Sequence, residues 1–320
     1  MSLKGSSLIS INDLTEEDIQ YIFHWAGFFK TAAQNKISLE NVVDFKHSRN
    51  HTVFLVFAEA STRTRTSFEI ACHRLGVNVV NFSDLKNSSL AKGESLEATM
   101  TALDALGASA IVLRYKGRKF QSDCGTPIIN AGFGSYEHPT QALIDAWTIQ
   151  QVRGKVKGEK VLIVGDVLHS RVSNSNLKLL RKLGAEVALC SPSALQPQDD
   201  FWQGVHCFKN LNEGIRWASV IMCLRIQTER HDDSVGLSIA SYRDYYLVGQ
   251  EHLKMFHKDG VLIHPGPYIC GVEISPTVFD DSRCHIITQV KNAPFIRAAI
   301  LTRVLNLELK EDKLPADGKK

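Results

Sequence analysis

Short aliphatic and β-branched runs alternate along the chain with longer stretches whose apolar positions recur at helical spacing. In the first half the runs are 51–57 (HTVFLVF), 78–82 (NVVNF), 109–115 and 126–130 (TPIIN), with helical patterns at 65–75, 94–106 and 139–152. In the second half they are 160–165 (KVLIVG), 185–190 (AEVALC), 205–208 (VHCF), 219–224 (SVIMCL) and 261–264 (VLIH), with a helix at 172–183. Strands separated by helices predict an α/β fold of two doubly wound domains, each with a mainly parallel sheet. Charge and glycine in RGKVKGEK (153–160) interrupt the pattern before a fresh strand begins, which places the domains at 1–152 and 153–293. The last periodic segment, 294–309, predicts a helix that crosses back onto the first domain, and the tail KEDKLPADGKK reads as solvated.

Length and charge narrow the function. At roughly 150 residues per domain, 320 residues fit two domains with a core each. Thirty-seven Lys+Arg against 34 Asp+Glu leave +3, too small an excess to imply nucleic-acid binding, so any anion chemistry is local. No stretch approaches the roughly 18 apolar residues of a membrane span, and the start MSLKGSSLISINDL lacks the apolar centre of a signal peptide, so a cytoplasmic protein is expected. The seven cysteines are odd in number and never closely paired, a pattern of reduced thiols rather than disulfides or a zinc site.

Chemistry-bearing residues gather where strands end. Ser61-Thr62-Arg63-Thr64-Arg65 follows a predicted strand and opens a helix, a place where unpaired N–H groups and the helix dipole favour a phosphate. A helix cap with solvated arginines is the competing reading. His138-Pro139-Thr140-Gln141 occupies a similar turn, where an imidazole either polarises a carbonyl or merely completes the turn. Gly165 to Arg171 ends the strand VLIVG without a G-x-G-x-x-G fingerprint, which disfavours a dinucleotide; Arg171 is placed to grip a carboxylate or to sit in a surface turn. Arg114, Arg225 and His264-Pro265-Gly266-Pro267 also end predicted strands. Four arginines at carboxyl strand ends suit substrates that carry several negative charges.

The ordered set FAEASTRTRTSFE (57–69), HRLG (73–76), SSLAKGES (88–95), HPTQALID (138–145), GDVLHSRV (165–172), LRIQTER (224–230), HPGP (264–267) and GVEI (271–274) resembles the aspartate carbamoyltransferase family. The resemblance implies transfer of the carbamoyl group of carbamoyl phosphate to the amine of L-aspartate, giving carbamoyl-aspartate for pyrimidine synthesis, with no metal or organic cofactor. It implies a carbamoyl-phosphate site of Ser61, Thr62, Arg63, Thr64, Arg114, His138 and Gln141, joined by Ser89 and Lys92 from a neighbouring subunit of a homotrimer. The same resemblance implies that Arg63, Thr64, Arg114 and His138 carry catalysis, that Arg171, Arg225, Gln227, Pro265, Gly266 and Pro267 hold aspartate, and that Glu59 pairs with Arg171 and Arg230 as the domains close. Regulatory chains or dihydroorotase-type chains are the candidate further partners.

Ornithine-using relatives share the first-half motifs but carry an SMG-type loop and a His-Cys-Leu-Pro segment, whereas this chain has Arg225-x-Gln227-x-x-Arg230 and His264-Pro-Gly-Pro. Two departures stand out. Tyr268-Ile269-Cys270 replaces a stretch that contains an arginine in many relatives, and 116–125 is shorter than usual, which predicts the loss of a helix there. The alternatives are a carbamoyltransferase for another amino acid and a non-catalytic scaffold.

Overall fold

The computed structural model describes residues 2–39, 42–82, 93–117, 120, 124–230 and 238–310. Its helices are α1 (Glu16–Gln34), α2 (Phe45–Ser48), α3 (Thr62–Leu75), α4 (Leu96–Ala105), α5 (Pro139–Arg153), α6 (Arg171–Lys182), α7 (Leu211–Trp217), α8 (Ile239–Tyr246), α9 (Gln250–Met255) and α10 (Ile286–Val304). Its strands are β1 (Thr52–Phe57), β2 (Asn78–Phe82), β3 (Ala110–Tyr115), β4 (Ile128–Phe133), β5 (Lys160–Val164), β6 (Glu186–Cys190), β7 (His206–Cys207), β8 (Val220–Cys223) and β9 (Val261–Ile263). They form two sheets, of order β2-β1-β3-β4 and β7-β6-β5-β8-β9, and every pair is parallel. Winding starts at β1 and at β5 and proceeds in both directions, the doubly wound architecture the pattern predicts.

Contacts divide the chain into two compact units: the described residues of Met1–Thr140 with those of Asn292–Lys320, and Gln141–Lys291. The division falls inside α5, whereas the charge and glycine of 153–160 mark that helix's end. In the first unit, Phe54, Val56, Ile111, Leu113, Ile128 and Phe133 from three strands pack with Met100 and Leu103 of α4. In the second, Leu162, Val164, Ile221 and Leu262 pack with Ile215 and Leu253. β1 and β5 lie inside their sheets and read as continuous apolar runs, because parallel strands are covered on both faces.

Several elements depart from expectation. Helix α1, absent from the periodic segments singled out above, is opened by a capping box in which Thr15 and Asp18 bond reciprocally. Asp18 then accepts from Leu3 N at 3.1 Å and from Arg303 Nε at 2.9 Å, fastening the N-terminal segment and α10 to that helix. β4 is shifted from 126–130 to Ile128–Phe133. Pro127 has no N–H for the ladder, and Asn130, which resembles a turn residue, is fully buried and donates to Ile9 O at 2.8 Å. α10 starts at Ile286 rather than at Pro294, which is accommodated inside it, and its Arg297 stacks over Phe68, 4.9 Å from the ring centre. The stretch 116–125 and the tail 311–320 lie partly or wholly outside the described residues.

All seven cysteines are free thiols; Cys72, Cys190 and Cys223 are buried and Cys270 is exposed. Burial pushes Cys72 and Cys190 up to about 12 and Cys223 higher still, so none of these three supplies a thiolate at neutral pH. Iodoacetamide on the native chain is expected to alkylate Cys270 first and to leave Cys72, Cys190 and Cys223 unmodified until denaturant is added. Peptide mass mapping checks this, and early labelling of Cys72 would contradict the packing.

Candidate active site

A parallel sheet sends all its carboxyl ends to one edge, and the loops that leave this edge carry the residues of interest. In the first unit, Ser61–Arg65 follows β1, Arg114 lies near the end of β3, and His138 follows β4; the three strands are neighbours in the order β1-β3-β4. Ser61 stands at the N-cap of α3 with φ −159° and ψ 99°, yet its hydroxyl makes no capping hydrogen bond. Ser95, Ser170 and Ser238, in contrast, all cap their helices. The α3 first turn contains no acidic residue, so its dipole is uncompensated there. Arg63 is exposed, Thr64 is buried, and the Ser67 hydroxyl, one turn on, donates to Arg63 O at 2.6 Å. These features favour an anion over a simple cap at this end of α3.

Arg114 is tethered on two sides. Its Nη1 donates to Ala131 O at 3.3 Å, and its Nε lies 3.6 Å from Glu59 Oε2. Glu59 thus pairs with Arg114 in this structure. His138 is 4% exposed, with Nδ1 lying 3.4 Å from Thr140 Oγ1. Where that hydroxyl donates, the neutral ring carries its proton on Nε2, the tautomer suited to polarising a substrate oxygen. The preceding Glu137 is fully buried and accepts from Ser10 Oγ at 2.6 Å and Ile11 N at 2.9 Å, which pins the His138 turn to the N-terminal segment. Ser89 and Lys92 lie outside the described residues.

The second unit repeats the arrangement with different chemistry. Arg171 is the first residue of α6 after β5, Arg225 and Gln227 follow β8, and Pro265, Gly266 and Pro267 follow β9; β5, β8 and β9 are again neighbours. The chain leaves β5 at Gly165 with φ +117°, where a Cβ would lie 2.6 Å from Tyr242 Oη and 2.8 Å from Leu224 O, so only glycine fits. Asp166, fully buried, accepts from His169 N at 3.2 Å and Nδ1 at 2.9 Å, and from Gln227 N at 3.0 Å. Gln227 Nε2 and Arg230 Nη1 both donate to His169 O, at 2.9 and 3.0 Å. The loops after β5 and β8 are therefore one hydrogen-bonded body.

Arg225 forms a two-pronged pair with Glu229, one prong measuring 3.0 Å. The guanidinium holds Glu229 at about 2, far below the ordinary carboxylate range, and the Arg225 pKa is raised in turn. Glu273 of the GVEI segment accepts from Ile226 N at 3.0 Å and Ile269 N at 2.8 Å, joining the loop after β8 to the altered 268–270 stretch. Burial raises its pKa against the pull of those donors. His264 N donates to Gln289 Oε1 at 2.9 Å and Gly266 N donates to His264 Nδ1 at 2.9 Å; the Gly266–Pro267 bond is cis. Among the described residues, no group of three His, Cys, Asp or Glu side chains is arranged to hold a metal ion. Asp166 and Glu273 went unassigned by sequence reasoning although both lie in the quoted motifs, because their role is to hold backbone N–H groups brought together only by folding.

Residues 6–151 match the family model described as the carbamoyl-P binding domain of aspartate/ornithine carbamoyltransferase, and residues 157–304 match its Asp/Orn binding domain. The chain is 39% identical over 316 residues to an aspartate carbamoyltransferase catalytic subunit of Syntrophotalea carbinolica, covering 98% of this chain and 99% of that one. It is 43% identical over 259 residues to the corresponding subunit of Deinococcus radiodurans, covering 79% and 82%. Among solved structures it is similar to aspartate transcarbamoylase from Trypanosoma cruzi in complex with carbamoyl phosphate and aspartate. That likeness has a TM-score of 0.83 at 29% identity and covers 94% of this chain and 97% of the other.

Glu273→Gln leaves one of the two N–H groups facing an amide NH2. The expected cost is about 1–3 kcal/mol of stability, read as a lower urea midpoint with unchanged slope. An unchanged midpoint would show that the carboxylate does not hold these loops.

Proposed function

Because this chain belongs to the aspartate/ornithine carbamoyltransferase family, we propose that it transfers the carbamoyl group of carbamoyl phosphate to the amino group of L-aspartate, giving N-carbamoyl-L-aspartate and phosphate. The observation that carries the choice of aspartate is the loop chemistry after β8 and β9. Arg225, Gln227 and the His264-Pro-Gly-Pro segment follow those strands, Arg171 follows β5, the neighbour of β8, and the near-full-length relatives are aspartate carbamoyltransferase catalytic subunits. Two arginines match two carboxylates, whereas the ammonium of ornithine would be repelled by them.

Carbamoyl phosphate is bound by Ser61, Thr62, Arg63 and Thr64 at the α3 terminus, with Arg114, His138 and Gln141 at the carbamoyl group. The aspartate amine attacks the carbamoyl carbon, a C–N bond forms, and the carbonyl oxygen takes on negative charge. Thr64, Arg114 and His138 donate to that oxyanion, an effect worth on the order of 3 kcal/mol per donor in comparable sites. The C–O bond to phosphate then breaks with its electron pair on the departing oxygen, and the amine proton passes to that phosphate. Holding both substrates removes much of the entropic barrier. Arg171, Arg225 and Gln227 with Pro265 to Pro267 fix aspartate; Glu59 and Arg230 act in closure. The working form is a cytoplasmic homotrimer in which Ser89 and Lys92 complete a neighbouring site.

Tyr268-Ile269-Cys270 favours a second reading, a carbamoyltransferase for another amino acid, since an arginine common near this position is missing. Product formation with carbamoyl phosphate and L-aspartate, run beside L-ornithine and other amino acids at equal concentration, decides between them. Turnover faster with another amino acid would overturn the aspartate assignment.

Arg63→Ala and His138→Ala are expected to lower kcat by about 10²–10³, while Arg225→Ala chiefly raises KM for aspartate. Unchanged kinetics in all three would remove the site assignment. Mixing inactive Lys92→Ala and Arg171→Ala chains is expected to recover activity in hybrid trimers, because some interfaces regain an intact site. No recovery despite confirmed subunit exchange would exclude a shared site.

A further inference from the structure

One fully buried carboxylate of the second unit gathers side-chain amides from three helices. Asp145 lies one turn beyond Gln141 on α5 and is 0% exposed. Its Oδ1 accepts from Gln141 Nε2 at 2.7 Å and from Gln289 Nε2, on α10, at 2.7 Å; its Oδ2 accepts from Asn176 Nδ2, on α6, at 2.9 Å. An ionised carboxylate only accepts hydrogen bonds, so each amide that faces it must present its NH2 group. The consequence for Gln289 is visible: its Oε1 is turned to accept the His264 N–H at 2.9 Å, at the base of the 265–267 loop. The consequence for Gln141 is that its carbonyl oxygen is the end presented away from Asp145.

We propose that Asp145 is a positioning residue for carbamoyl transfer. It fixes Gln141 with an acceptor toward the carbamoyl NH2 and, through Gln289, fixes the start of the Pro265-Gly266-Pro267 loop. The proposal rests on the carbamoyl-phosphate reading of Gln141. Its logic is the polarity of the two partners. A carbamoyl group presents an NH2 that needs an acceptor, and a glutamine rotated by half a turn would meet it donor to donor. Asp145 excludes the rotated form, because the rotated glutamine would set its oxygen against a carboxylate oxygen.

Asp145→Asn is nearly isosteric and removes that exclusion, since the asparagine NH2 can only donate and a neighbouring amide that faces it must rotate to present its oxygen. Inorganic phosphate is the discriminating probe: it shares the phosphoryl contacts of carbamoyl phosphate but has no NH2. The experiment compares wild type, Asp145→Asn, Gln141→Ala and the double variant for kcat, KM for carbamoyl phosphate, inhibition by phosphate and thermal unfolding. Asp145→Asn is expected to raise KM for carbamoyl phosphate by about tenfold, the size of one lost hydrogen bond, with the phosphate inhibition constant unchanged. In the Gln141→Ala background the same substitution is expected to add little, because its effect passes through the missing amide.

Unchanged KM and kcat, an equal weakening of phosphate, or full additivity with Gln141→Ala would each overturn the proposal. A wild-type chain that makes no carbamoyl-aspartate would instead remove the functional reading on which it rests. If Asp145→Asn does not fold, Gln289→Met reads the other arm of the same carboxylate. Lowered kcat with unchanged phosphate inhibition is expected, and wild-type kinetics in that variant would overturn the proposal.

Discussion

Parallel strand pairing is the constraint from which the rest of the molecule follows. Each parallel strand must be reached by a crossover, so every strand of a sheet delivers its carboxyl end to the same edge. Winding in both directions from β1 and from β5 makes the loops after those strands diverge from their neighbours and opens a crevice at each switch point. The sequence loads those loops unequally. Hydroxyls and an arginine open a helix after β1, which suits a phosphate; arginine and amide groups follow β5 and β8, which suits carboxylates. One architecture thus presents two sheet edges of different polar chemistry within a chain whose net charge is only +3.

Loops at a sheet edge have no ladder to hold them, and here buried carboxylates do so. Glu137 fastens the turn before His138, Asp166 joins the loops after β5 and β8, and Glu273 joins the latter to 268–270. Each accepts at least one backbone N–H, and charge-assisted bonds of this kind are stronger than neutral ones. Asp145 differs in accepting side-chain amides, so it sets their orientation as well as their position. Rigid loops keep arginines aimed with little entropy left to lose on binding.

Legibility from sequence tracked the range of the interactions involved. The interior strands announced themselves because an apolar run needs no partner to be recognised, and the residues after them were conspicuous for charge and hydroxyl content. The carboxyl end of β4 was set early, at Asn130, because Gly132 resembles a turn residue; folding carries the strand on to Phe133 and sets the Asn130 amide against the Ile9 carbonyl. Helix α1 was passed over although Thr15 and Asp18 form a local signal, and the start of α10 was hidden by Pro294, normally a breaker. Asp145 and Gln289 are 144 residues apart, a pairing that no local pattern encodes.

The pairing of Arg225 with Glu229 bears on how a dicarboxylate is chosen. Glu229 is held at about 2, so it is ionised at neutral pH and pairs with Arg225 in this structure. On the role proposed for Arg225, a substrate carboxylate that approaches it either shares the guanidinium with Glu229 or exchanges with it. In both cases the net electrostatic gain is smaller than for an unpaired arginine, so the KM contribution proposed for Arg225 is net of its pairing with Glu229. A neutral side chain in the same place leaves the guanidinium with Glu229 and gains nothing. Discrimination between carboxylate and neutral substrates then depends on the geometry that Asp166 and Glu273 impose on the loop bearing Arg225, rather than on the arginine's charge alone.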